Sequence, residues 1–150
     1  MKNFLMKWSV FLWKHKWLYY ILLFTWALPF TLVTLLVSLV LICIGKKPMK
    51  TPIGWKFQIG KNWGGCDLGI AFIRDTTSDY SLDRHEMGHS FQLCLFGVFF
   101  VFIICIPSAI RYWYYELKFS RKGISPKTDY DAIWFEESAT EIGNKLFNRK

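Results

Sequence analysis

Residues 17–44 read WLYYILLFTWALPFTLVTLLVSLVLICI, 28 positions without one charged side chain. At about 1.5 Å per residue, a helix of that length exceeds the roughly 30 Å of hydrocarbon in a bilayer. The run therefore predicts an N-terminal transmembrane helix and, with it, a mainly α membrane protein. Pro29 lies inside the run, where a proline removes one helix hydrogen bond and crowds the carbonyl four residues back. It predicts a kink in one tilted span, with a tight break into a two-helix hairpin as the alternative. A secretory signal fits poorly, because its apolar region usually has about 7–15 residues and ends at a small-x-small site. Cys43 follows Ile42, not the small residue of a lipoprotein cleavage site. An uncleaved anchor is the expectation.

The rest of the composition agrees. The chain of 150 residues is the size of one domain, with 53% apolar, 19% aromatic and 20% charged residues, which excludes disorder. The net charge of +8 comes from basic residues that flank every apolar segment. Four precede the first run, seven lie between Lys46 and Arg84, and eight follow from Arg111. No nucleic-acid motif accompanies them, so the expected partner is a lipid bilayer with anionic headgroups rather than nucleic acid. Cys43, Cys66, Cys94 and Cys105 contain no CxxC pair, so neither a disulfide framework nor a thiolate zinc knuckle is indicated.

Working outward, residues 1–16 mix aromatics with lysines at helical spacing and suit an interfacial helix, with His15 an interfacial residue. Residues 17–44 form the anchor, and 45–150 are left for the working domain. There, KKPMKTP reads as a basic linker, and GWKFQIGKNWGGCDLGIAFIRD as a short β-hairpin around a glycine turn. Ser81 or Asp83 is a candidate N-cap for a helix that continues into a second apolar, membrane-associated segment over 91–106, ended by Pro107. RYWYYELKFSRKG reads as interfacial, SPKTDYD as a polar turn, and AIWFEESATEIGNKLF as a closing amphipathic helix.

The chemistry sits in His85-Glu86-Met87-Gly88-His89, an H-E-x-x-H pattern. Four residues apart on a helix is about one turn, so the two imidazoles face one cation and Glu86 faces a water beside it. This predicts a Zn2+ site with His85 and His89 as ligands and Glu86 as general base. The competing structural reading has the three residues as polar groups at a helix start, with Glu86 favoured by the helix dipole. A zinc site needs a third protein ligand. Glu116, Glu136, Glu137 and Glu141 are candidates, and Asp129 and Asp131 weaker ones.

HEMGHSFQ, an apolar run ending in Pro-Ser, an aromatic basic stretch and a late E-x-x-A-x-x-x-G together resemble a family of small bacterial membrane proteins with HEYGH-type motifs. That family is similar to gluzincin metallopeptidases and related in logic to membrane-integrated CAAX prenyl protease-like enzymes. The matching positions, from about Gly65 to Gly143, include Glu136, Ala139 and Gly143. The resemblance implies Glu136 as third ligand, with Glu137 its rival. Thr140 stands where the family has an Asp that braces a ligating histidine. It further implies that an edge strand ahead of the motif helix, here LGIAFIR, pairs with extended substrate, the alternative being that it simply covers the apolar face of that helix, and that a Tyr or His stabilises the oxyanion. Tyr80, Tyr114, Tyr115 and Tyr130 are available.

If the second apolar run crossed a bilayer, His89 and Glu136 would lie on opposite sides, so the run is expected to be re-entrant, tilted or buried. Loop and tail would then share 15 of the 19 basic residues, which places the site at the cytoplasmic face of a bacterial membrane. The functional expectation is a membrane-anchored zinc metallopeptidase acting on peptide or membrane-protein substrates. The alternatives are a non-catalytic membrane interaction or accessory protein with a structural or inactive zinc site, and an apolar scaffold without metal.

Overall fold

The charge-free run does not form one helix. In this computed structural model, which describes residues 1–119 and 133–148, it is divided between α2 (Lys16–Phe24) and α3 (Leu28–Cys43), bent by 87° at the break. No single helix among the described residues is long and apolar enough to cross a membrane. The transmembrane helix over 17–44, and the membrane fold class built on it, are corrected accordingly. Pro29 supplies the physical reason. It occupies the second position of α3, where a missing N–H leaves no helix bond unmade, whereas a continuous helix would set its ring against the Thr25 carbonyl. The Thr31 hydroxyl donates to the Leu23 carbonyl at 2.6 Å, satisfying one orphan acceptor at the end of α2. Trp26 at the break donates from Nε1 to the Leu95 carbonyl at 3.3 Å.

The expected hairpin is also corrected, to a four-stranded mixed sheet. β1 (Met49–Thr51), β2 (Gly54–Gln58), β3 (Gly65–Asp67) and β4 (Ala71–Arg74) lie in the order β1-β2-β4-β3. The basic stretch read as a linker contributes β1, which pairs antiparallel with β2. β4 is parallel to β2, with Trp55 opposite Ala71, and antiparallel to β3, with Cys66 opposite Ile73. Gly54 permits the hairpin to close on its neighbour, since any side chain there would strike the Ile70 backbone.

α1 (Lys2–Lys14) precedes the broken run, and α4 (Tyr80–Phe96) follows the sheet, capped by Asp79, whose carboxylate accepts from the Ser81 N–H at 2.8 Å. Neither Ser81 nor Asp83 is the cap. Asp83 instead pairs with Arg74 at 2.8 Å and with Lys56, tying α4 to the sheet. At Gly97, φ is +52° and a side chain would strike the Trp26 indole, so glycine is required where α4 ends against the first bend. A 3-10 turn (Gly97–Phe99) and a π-helical stretch (Val101–Cys105) lead into α5 (Ile106–Phe119), the flanking helices being bent by 114°. Pro107 does not end an element; like Pro29, it opens one. α6 (Trp134–Phe147) runs back against α4. Leu5, Leu12, Tyr19, Phe72, Met87, Phe91, Phe135 and Ile142 form the core that these elements share.

Candidate metal centre

α4 and α6 carry the site, and small residues set their separation. Gly88 lies on the Ala139 carbonyl and Gly143 on the Arg84 carbonyl, so closely that a Cβ on either glycine would overlap backbone. The two glycines and Ala139 thus have a steric purpose, letting one helix reach the other at backbone contact. At that separation Glu136 meets the motif histidines.

His85 Nε2, His89 Nε2 and Glu136 Oε2 form a triangle with each side 3.1 Å. Donors about 2.1 Å from a tetrahedral zinc lie about 3.4 Å apart, so the triangle fits that ion with little adjustment. Glu136 and His89 are buried, and His85 is partly so. Among the described residues these three are the group able to hold a metal ion.

Each of the three residues is held from behind. His85 Nδ1 lies 2.8 Å from Thr140 Oγ1, and His89 Nδ1 lies 2.8 Å from Gln92 Oε1. The Gln92 amide nitrogen donates to the Phe135 carbonyl at 2.7 Å and lies 2.8 Å from Ser138 Oγ. Ser108 on α5 donates to Glu136 Oε1 at 2.6 Å, leaving Oε2 to the histidines. Every brace is neutral, where metal-bound histidines often have a carboxylate behind them.

Without a metal, electrostatics favour a proton held between His89 and Glu136. Burial by itself would lower the His89 pKa, but the hydrogen bond and charge of Glu136 raise it to about 9. Burial works against ionised Glu136, yet hydrogen bonds from His85 and His89, and their charge, hold it well below the carboxylate range. Glu86, buried on the sheet side, is pushed by burial up to about 7 despite the two histidines, with Asp67 and Glu136 adding to the rise. Its carboxylate lies against Gly65 of β3, where a Cβ would come within 2.8 Å of Glu86 Cδ. Asp67 on the same strand accepts from Ser90 of α4 at 2.7 Å and is itself raised to about 7, chiefly by burial.

The other candidates lie elsewhere. Glu137 is turned away and pairs with Lys2, and Glu141 is exposed. Tyr80 reaches the Phe147 carbonyl at 3.5 Å, at the opposite end of α6 from Glu136. Tyr114 and Tyr115 stack edge to face on α5. His15 lies 2.9 Å from the Phe11 carbonyl on α1. Asp129, Tyr130 and Asp131, the turn SPKTDYD and the side chain of Glu116 lie outside the described residues. LGIAFIR is not an edge strand: β4 has neighbours on both sides, and the edge beside the motif helix is β3. Gln92 and Ser108 escaped the sequence reading, although Gln92 stands three residues beyond His89, on the same side of the helix. All four cysteines are free thiols. Compared with known proteins, the chain matches no family model, no curated protein and no solved structure.

Proposed function

We propose that the protein is a zinc-dependent metallopeptidase of gluzincin type, with His85, His89 and Glu136 as ligands and Glu86 as general base. The observation that carries this reading is the triangle of Nε2, Nε2 and Oε2 atoms at 3.1 Å beside a buried Glu86. Bare imidazole nitrogens and a carboxylate oxygen that close repel one another unless a cation or proton sits among them. A zinc ion held there supplies a Lewis acid and lowers the pKa of an adjacent water toward about 7.

Glu86 takes a proton from the attacking water as oxygen adds to the peptide carbonyl. It returns that proton to the amine as the carbon–nitrogen bond breaks. Burial, which raises the pKa of the Glu86 carboxyl in the metal-free protein, favours its holding the proton between the two transfers. Substrate lies extended along the side of β3, Gly65–Asp67, that pairs with no strand among the described residues, where backbone groups pair with a peptide and bring its carbonyl to Glu86. The substrates are peptides or membrane proteins at a lipid surface. The net charge of +8 favours the anionic cytoplasmic leaflet of a bacterial membrane as the place of action.

The test is metal content and hydrolysis together. Purified protein is expected to hold one zinc per chain and to cleave quenched peptides, and Glu86→Gln to keep the zinc while losing cleavage. Zinc retained with no cleavage in the parent protein would leave a structural metal site in an accessory protein. No stoichiometric zinc would remove both readings.

A further inference from the structure

α3 is patterned inside out. Its buried stripe, Thr31, Thr34, Ser38 and Leu41, is largely polar, and its exposed surface carries Leu32, Val33, Leu36, Leu39 and Val40. Leu36 is 63% and Leu39 59% exposed. The buried hydroxyls are used internally: Thr31 bonds the Leu23 carbonyl, Thr34 meets the Leu68 carbonyl, and Ser38 accepts from Trp55 Nε1 at 3.0 Å. A helix facing water has the opposite pattern, with its apolar stripe toward the core. Contiguous apolar surface of this extent marks an interaction site.

Three further features select the occupant. A groove of about 540 Å³ runs between α3 and the β1–β2 hairpin, lined by Leu35, Leu39, Ile42, Pro48 and Trp55, with Lys50 also on its wall. Lys46, Lys47 and Lys50, all exposed, follow directly on the C-terminal end of α3. At the other end the two bends lie together, Trp26 tilted against Phe99 at 6.1 Å and Phe30 edge-on to Phe100 at 5.7 Å, with Phe99 and Phe102 exposed beside them. The described surface is therefore apolar along α3 and at its bent tip, and cationic at its far end. That sequence of chemistry matches acyl chain followed by phosphate.

We propose that the outer face of α3 and the adjoining groove dock into one leaflet of an anionic phospholipid bilayer, with an acyl chain in the groove and lipid phosphates at Lys46, Lys47 and Lys50. With 16 residues, α3 is about 24 Å long, and the turn at Thr25–Ala27 carries α2 away at 87°, so α2 and α3 do not continue one another as a single span. The inference rests on α3, the groove and the lysines, and is independent of any metal.

The experiment is flotation of the full-length protein, exchanged out of detergent, with vesicles of phosphatidylglycerol or of phosphatidylcholine. Binding to phosphatidylglycerol is expected to exceed binding to phosphatidylcholine by about ten-fold or more at low salt. Replacing Lys46, Lys47 and Lys50 together by Glu is expected to remove that preference. Leu36→Lys with Leu39→Lys, at exposed positions that the core does not use, is expected to abolish flotation with both lipids while the far-ultraviolet spectrum is retained. Equal binding to the two lipids, or flotation unaffected by the lysine changes, overturns the phosphate contact, and with it the proposal. Failure of the parent protein to float overturns it as well, and dimers cross-linked through α3 in place of flotation overturn it and assign the face to a second copy. Should the leucine variant misfold, the lysine variant decides the matter alone.

Discussion

Gln92 donates to the carbonyl of Phe135 at 2.7 Å, and that bond settles which nitrogen of His89 carries hydrogen. A carbonyl can only accept, so the Gln92 atom facing it is the amide nitrogen, and the atom facing His89 Nδ1 at 2.8 Å is the oxygen. His89 Nδ1 must therefore donate, and when the ring is neutral its Nε2 presents a lone pair to Glu136 and His85. One glutamine thus links α6 to the tautomer of His89 on α4 that points Nε2 at His85 and Glu136.

Gln92→Leu is accordingly expected to weaken zinc binding by about 10–100-fold, the usual effect of removing the partner behind a ligating histidine. Thr140→Val should act in the same direction but less, because His85 is partly exposed and water can replace the hydroxyl. Competition with a chromophoric chelator reads both. Equal affinities in Gln92→Leu and the parent protein would show that Gln92 does not hold the tautomer.

Gly88→Ala and Gly143→Ala place a methyl on the carbonyls of Ala139 and Arg84, which are backbone and cannot swing aside. Each change is expected to cost about 1–3 kcal/mol of stability as α4 and α6 are forced apart. Because Glu136 rides on α6, the same shift should lower zinc affinity, which a surface substitution such as Glu141→Ala should leave alone. Thermal denaturation and metal titration of the three variants separate these outcomes.

The site was more legible in the sequence than the fold around it, for a physical reason. His85, Glu86 and His89 follow the four-residue periodicity of a helix, so local pattern holds that information, whereas Glu136, Ala139 and Gly143 were legible only through the family resemblance, and the backbone contact that Ala139 and Gly143 permit is visible only in the fold. The break at residues 25–27 depends on where Pro29 falls in a helix, interior or first turn, and composition is the same in either case. The buried hydroxyls of Thr31, Thr34 and Ser38 carried the missing signal, since a plain lipid-facing anchor has no use for them on one stripe. The sheet order was hidden because β1 and β3 have three residues each and are defined by partners distant in sequence. Ser108 could not be found at all without knowing that the chain reverses by 114° after α4.

Gly65→Ala tests the placement of Glu86 as the proposed general base. A methyl at residue 65 would overlap the Glu86 carboxylate, which is the end of a flexible side chain and so can move. The expected result is a normal zinc content with kcat lowered by about 10–100-fold, since small displacements of a catalytic group are costly. KM should change little if the backbone of β3 still pairs with substrate. Hydrolysis of a quenched peptide, followed beside metal analysis, distinguishes this from a folding defect, which would lower zinc and activity together.

The last prediction concerns pH and the metal-free protein. His89, with a folded pKa of about 9 against an ordinary 6.5, binds its proton more tightly when folded. Its contribution to stability is complete below about pH 6.5 and is lost as pH rises through about 9. Glu86 and Asp67, both raised to about 7, act in the same sense, their contributions fading between their ordinary carboxyl range and neutrality. Glu136, held low by the histidines, has the opposite sign and loses its contribution only on acidification. Chelator-treated protein should therefore melt at progressively lower temperature between pH 6 and 9.5. In the zinc-loaded protein the metal takes the place of the proton between the rings, so the fall from His89 should be absent and the melting-temperature gap between the two forms should widen with pH. Parallel thermal scans across that range provide the measurement. A chelator-treated protein whose melting temperature stays flat from pH 6 to 9.5 would show that His89 and Glu136 do not share a proton in the folded state.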